Sequence, residues 1–135
     1  MIFKKYKLQI LATCFMCLFA IACTTVPITG RRQVTGIISS DEIIKMSADA
    51  YRQVLDSVKL SSDQEKVALV KRAGNRIKEA TEQYLTENEG SELLEGFEWE
   101  FNLVDNDTLV NAWAMPGGKV AFYTAILPIC KDETG

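Results

Sequence analysis

Between Phe97 and Leu103 the apolar side chains fall at every second position: Phe97, Trp99, Phe101 and Leu103 alternate with Glu98, Glu100 and Asn102. A period of two marks a strand with one buried and one wet face. From Asp41 to Leu85 the period is different. Ile44, Tyr51, Leu55 and Val58 follow each other at spacings of seven, four and three, one stripe of an amphipathic helix predicted over 41–58. Val67, Val70, Ile77, Tyr84 and Leu85, with Ala73 and Ala80 between them, form the stripe of a second helix predicted over 63–85. A chain that changes once from helical to extended periodicity must pack helices against strands, an α+β arrangement. The strands are antiparallel or mixed, and helices are expected on one side of them.

Local signals sharpen this outline. Ser39 stands three residues before Glu42, and Ser62 three before Glu65. Each pair has the spacing of a capping box, in which the hydroxyl satisfies a free helix N–H and the glutamate reaches back. Gly74 interrupts the second helix at a cost of about 1 kcal/mol against alanine, which a close helix packing would offset. The polar stretch 86–96 reads as a surface loop. Asp105-Asn106-Asp107 is turn chemistry, 109–115 a second strand, Pro116-Gly117-Gly118 a turn and 119–124 a third strand. Pro128 is expected to end whatever 125–127 forms. Asp132 and Glu133 suit the first turn of a further helix, where acids meet the positive end of the dipole.

The N-terminus belongs to none of this. Lys4, Lys5 and Lys7 precede an apolar run from Ile10 to Ala22 that ends in small residues before Cys23. A basic stretch, a short apolar core and a small-residue cleavage site make residues 1–22 a secretory signal; the run is shorter than the roughly 20 residues that span a bilayer. Ala20-Ile21-Ala22-Cys23 looks like a lipobox, which makes Cys23 the lipid anchor of a bacterial lipoprotein, facing the periplasm from a cell-envelope membrane. Each buried CH₂ of such an anchor yields about 0.8 kcal/mol. Residues 23–38, which mix Thr, Pro and Gly without a sustained period, read as the lipidated tether, and 39–135 as the folded part.

Composition excludes several functions. Removing the three signal-peptide lysines from a net charge of −3 leaves −6, and Lys71, Arg72 and Arg76 are interleaved with acids, so no basic face is available for nucleic acid. Cys14 and Cys17 lie within the signal, which leaves Cys130 without a natural disulfide partner. The chain contains no histidine, so neither a serine–histidine triad nor a histidine-ligated metal site can be assembled from these residues. Glu98 and Glu100 alternate with aromatics and read as a solvated face, not an acid–base pair. Pro116-Gly117-Gly118 lacks the lysine and helix of a phosphate loop.

One segment carries more information. Asn111-Ala112-Trp113-Ala114-Met115-Pro116-Gly117-Gly118, continuing through Lys119 to Thr124, resembles the zinc metallopeptidases related to HtpX, BepA and the CAAX prenyl proteases, which are of gluzincin type. Cys23 followed by Pro27-Ile28-Thr29-Gly30-Arg31-Arg32-Gln33 looks like the opening of lipid-anchored members, and Trp99 to Val104 like their first strand. The resemblance covers residues 23–135 and implies the N-terminal part of a zincin-like domain in a metalloendopeptidase of cell-envelope proteins. It implies zinc in the intact protein, held by an H-E-x-x-H helix and a further glutamate; this chain departs from the family in having none of these, and is expected to bind no zinc. It also implies that Asn111, Ala112, Trp113, Ala114 and Met115 form the edge that holds a peptide or protein substrate as an added strand, with the Asn111 amide on the substrate backbone and Trp113 walling a side-chain pocket. Two alternatives stand beside it. Trp113 in the core of a plain hairpin fits the same residues, and so does a non-catalytic envelope lipoprotein that binds peptides through an exposed strand.

Overall fold

A computed structural model describes the strands Cys23–Thr25 and Arg32–Val34 and all of residues 38–135. Residues 1–22, expected to be a secretory signal, and the Cys23 side chain, expected to carry the lipid, lie outside the described residues. Within 23–38, where no strand period is visible, β1 (Cys23–Thr25) and β2 (Arg32–Val34) pair antiparallel, Cys23 opposite Val34. Residues 38–135 form a separate compact unit.

That unit opens with α1 (Ser40–Ser57), capped where expected: the Glu42 N–H donates to Ser39 Oγ at 3.3 Å. The next helix, α2 (Gln64–Glu87), is capped one residue later than the Ser62–Glu65 spacing suggests. Asp63 Oδ1 accepts from the N–H groups of both Glu65 and Lys66 at 3.1 Å. A carboxylate takes the place of the Ser62 hydroxyl because it accepts two bonds and carries a charge that the helix dipole favours. The backbone donors beside it hold the Asp63 carboxyl below the usual range.

Three strands follow: β3 (Glu100–Val104), β4 (Ala112–Met115) and β5 (Lys119–Tyr123). Their order in space is β3-β5-β4, with β5 in the middle, parallel to β3 and antiparallel to β4. The sheet is therefore mixed. The second strand starts later than its apolar run because Asn106 Oδ1 accepts from the N–H groups of Thr108 and Leu109 at 3.0 Å, holding them in a turn. Pro116-Gly117-Gly118 is the turn expected, and both glycines sit at φ near 80° (84° and 80°), where a side chain is strained. Each is also crowded, Gly117 by Ile44 and Gly118 by the Trp99 ring.

The two helices cover opposite faces of this sheet, not one side of it. On the first face, Phe101 and Leu103 meet Val70 of α2, with Val67, Trp99, Val120, Phe122 and Leu127 around them. Gly74 is the point of closest approach: a Cβ there would lie 2.4 Å from the Phe101 ring. The glycine thus admits a strand side chain, where a helix neighbour was expected. Ile77 and Tyr84, assigned to the buried stripe, are 58% and 47% exposed, since β3 reaches only part of α2. On the second face α1 packs through Tyr51, whose ring meets Trp113 of β4 edge-on at 5.4 Å. Glu98 and Glu100, on this face, bracket a buried ammonium: Lys119 Nζ lies 3.5 and 3.4 Å from them.

The chain beyond β5 differs from its expected course. Pro128 lies within the first turn of a short helix, α3 (Leu127–Cys130), instead of ending one; there its missing N–H and fixed φ are tolerated. Lys131 then takes φ 66°, which terminates the helix, and Glu133 is bonded to Arg72 Nε at 2.6 Å instead of opening another.

Candidate functional site

The hairpin of β4 and β5 is built by a local pattern. Asn111, Trp113 and Met115 alternate with Ala112 and Ala114, and the pairing sets Ala112 opposite Phe122 and Ala114 opposite Val120. Trp113 faces α1, so Asn111 and Met115 share its face, while Ala112 and Ala114 share the α2 face with Phe122 and Val120. Asn111 and Ala114 are exposed; Ala112, Trp113 and Met115 are half-buried.

Backbone direction follows from one bond. The Tyr123 N–H donates to the Asn111 carbonyl at 3.1 Å, which makes Asn111 and Tyr123 a hydrogen-bonded pair. In an antiparallel ladder such pairs alternate with non-bonded ones. Trp113 and Met115 therefore turn their N–H and C=O groups toward β5, whereas Ala112 and Ala114 turn theirs away from it. Among the described residues no strand pairs with that outer side of β4. The opposite edge of the sheet is partly covered by the chain itself: Leu60 bridges Val104, the Ser61 N–H donates to the Leu103 carbonyl at 2.8 Å, and Asp105 N–H to the Lys59 carbonyl at 2.8 Å. One edge is thus occupied and the other offers unpaired donors and acceptors, a template for an incoming extended chain.

This open edge is short and braced. Trp113 rests against Tyr51, and its Nε1 lies 3.4 Å from the Tyr123 hydroxyl. Tyr51, fully buried, donates its hydroxyl to the Val120 carbonyl at 2.6 Å and accepts from Asn102 Nδ2 at 3.2 Å. Asn102 in turn donates to Glu100 at 2.7 Å. Burial, opposed by the Asn102 bond and helped by the charge of Glu100, pushes the Tyr51 phenol above its ordinary value. Ser47, one turn earlier on α1, donates to the Pro116 carbonyl at 2.8 Å. The roles of Ser47 and Tyr51 escape a reading by hydrophobic stripe. The available signal is a serine placed at 47 in the stripe that runs 44, 51, 55.

Five residues resembling a substrate edge therefore lie together, and the two alanines present the free backbone groups. Comparison with known proteins adds the relationship. Over 113 residues, 82% of the chain, it is 33% identical to the mitochondrial metalloendopeptidase OMA1 of Schizosaccharomyces pombe, and over 44 residues, 32% of the chain, it is 46% identical to that of Saccharomyces cerevisiae. The chain is similar to metalloendopeptidases. It spans 30% of the length of the first of these relatives and 13% of the second. No protein-family model matches it, and no solved structure does. The names of these relatives imply a metal, and the residues at hand do not fit one: the sequence has no histidine, and no three Cys, Asp or Glu side chains among the described residues are grouped to hold an ion. No metal-dependent step can be routed through these side chains.

Proposed function

We propose that this chain is the substrate-binding shoulder of a zinc metalloendopeptidase anchored by a lipid on Cys23 and acting on cell-envelope proteins, with the zinc supplied by residues outside the sequence described. The observation that carries the reading is the open outer edge of β4, which coincides with the Asn111–Met115 segment resembling the HtpX, BepA and CAAX peptidases. A peptide adding to this edge would bond to the backbone of Ala112 and Ala114. Its recognition would then be largely independent of its sequence, as an endopeptidase of many substrates requires. Asn111, exposed beside the edge, would reach the peptide backbone, and the half-exposed ring of Trp113 would wall a side chain on the α1 face. The basic and apolar stretch before Cys23 supports export and lipidation to a periplasm-facing membrane.

The test is made on the complete gene product isolated from its native cells. Zinc content, hydrolysis of unfolded casein with and without a chelator, and incorporation of labelled palmitate in wild type and Cys23→Ser are measured together. Chelator-sensitive cleavage with one zinc per chain is expected. A product that binds casein without cleaving it would put a non-catalytic peptide-binding lipoprotein in its place, the reading favoured by an edge that needs no metal to hold an extended chain.

A further inference from the structure

The stripe by which α1 meets the sheet contains two hydroxyls where apolar side chains would suffice for burial. Ser47 is 8% exposed and Tyr51 fully buried. A buried hydroxyl costs free energy unless it is bonded, and both are bonded to backbone carbonyls of the same hairpin. Ser47 reaches Pro116 in its turn and Tyr51 reaches Val120 in its inner strand, each across a separation of 69 residues. The Tyr51 ring then meets Trp113 on its outer strand. Three points of the hairpin are thus referred to one rigid helix. The outer strand has only four residues and, among the described residues, a neighbour on one side, which by itself makes a fraying element.

We propose that Ser47 and Tyr51 are positioning residues for peptide binding at the β4 edge, acting through the hairpin to hold the outward groups of Ala112 and Ala114 at strand spacing. This rests on the reading of that edge as the substrate strand. A peptide that adds to a pre-ordered strand does not have to order it as well, so the hydroxyls act on affinity beyond their effect on stability.

The experiment measures the anisotropy of fluorescein-labelled β-casein, an unfolded protein, titrated with the full chain at a temperature where circular dichroism shows every variant folded. Ser47→Ala/Tyr51→Phe removes both hydroxyls and keeps the ring; its affinity is expected to fall about tenfold, and each single variant about threefold. Ser47→Thr, which keeps a hydroxyl, is expected to stay near wild type. Two controls separate positioning from plain stability: Ser57→Ala, which loses an exposed hydroxyl elsewhere on α1, and Val70→Ala, which weakens the core on the other face. Both are expected to bind like wild type. Equal affinity in the double variant and wild type overturns the positioning role, as does an equal loss in Val70→Ala. Wild type failing to bind casein at all overturns the substrate-edge reading itself, and the positioning role with it.

Discussion

Replacing Gly74 with alanine sets two effects of known size against each other. In an exposed helix interior the change would stabilise α2 by about 1 kcal/mol. Here the new methyl would stand 2.4, 2.5 and 2.7 Å from three carbons of the Phe101 ring, so ring or helix must give way by about 1 Å, and overpacking of that kind costs typically 1–3 kcal/mol. Retreat is difficult, because Phe101 is 9% exposed, stacked 6.2 Å from Trp99 and packed with Val70 and Leu103. The overpacking term wins. With the ring confined, the cost falls in the upper part of that range, about 2–3 kcal/mol, so a net loss of about 1–2 kcal/mol is expected, which lowers the thermal midpoint of a domain this size by roughly 4–15 °C. Thermal and urea unfolding followed by circular dichroism give the number. Phe101→Leu, itself destabilising, should make Gly74→Ala far less costly when the two are combined, since the clash has lost its partner. A Gly74→Ala protein as stable as wild type would refute the close approach of α2 to β3.

Other expectations follow from the caps, the edge and the buried phenol. Because the Tyr51 pKa is raised in the fold, its contribution is present below the ordinary phenol value near 10 and is lost as pH rises through the folded value; unfolding midpoints measured above pH 10 should fall more steeply in wild type than in Tyr51→Phe. The lowered Asp63 carboxyl behaves oppositely, stabilising above the ordinary carboxylate value and ceasing to do so as pH falls through its folded one, so Asp63→Ala should flatten the acid limb of stability and Ser62→Ala leave it unchanged. Proline belongs in a sheet only where its missing N–H faces outward. Ala114→Pro should therefore keep the fold and abolish casein binding, whereas Ala121→Pro in the central strand should unfold the chain; a folded Ala121→Pro protein would contradict the strand order.

Both long helices could be read from apolar spacing to within two residues, because an amphipathic stripe long enough to bury one face leaves little freedom in its placement. The alternation at 97–103 marked a strand but not its partner. Period two is the same whether β3 lies beside β4 or, as it does, parallel to β5, and only the return of the chain decides. The same alternation made Asn102 a solvent residue, whereas its amide is covered by Tyr51; sequence shows that a face is polar, not whether a second helix settles on it through hydroxyls and amides. Asp63 displaced Ser62 as a cap for a similar reason, since two neighbours could each do the task and their relative strength is not a matter of spacing. In the candidate site the composition of β4 was legible. The outward direction of Ala112 and Ala114 was not, because it depends on which strand pair carries the hydrogen bonds.

The ties of α1 also bear on when it can fold. Its two buried hydroxyls find their acceptors 69 residues further along the chain, and nothing nearer replaces them among the bonds described. Contacts of such separation form late, after the loop between them has been closed. During synthesis α1 therefore emerges long before the hairpin that receives it, and its apolar stripe stays available to solvent or to a chaperone until residues 116–120 have been made.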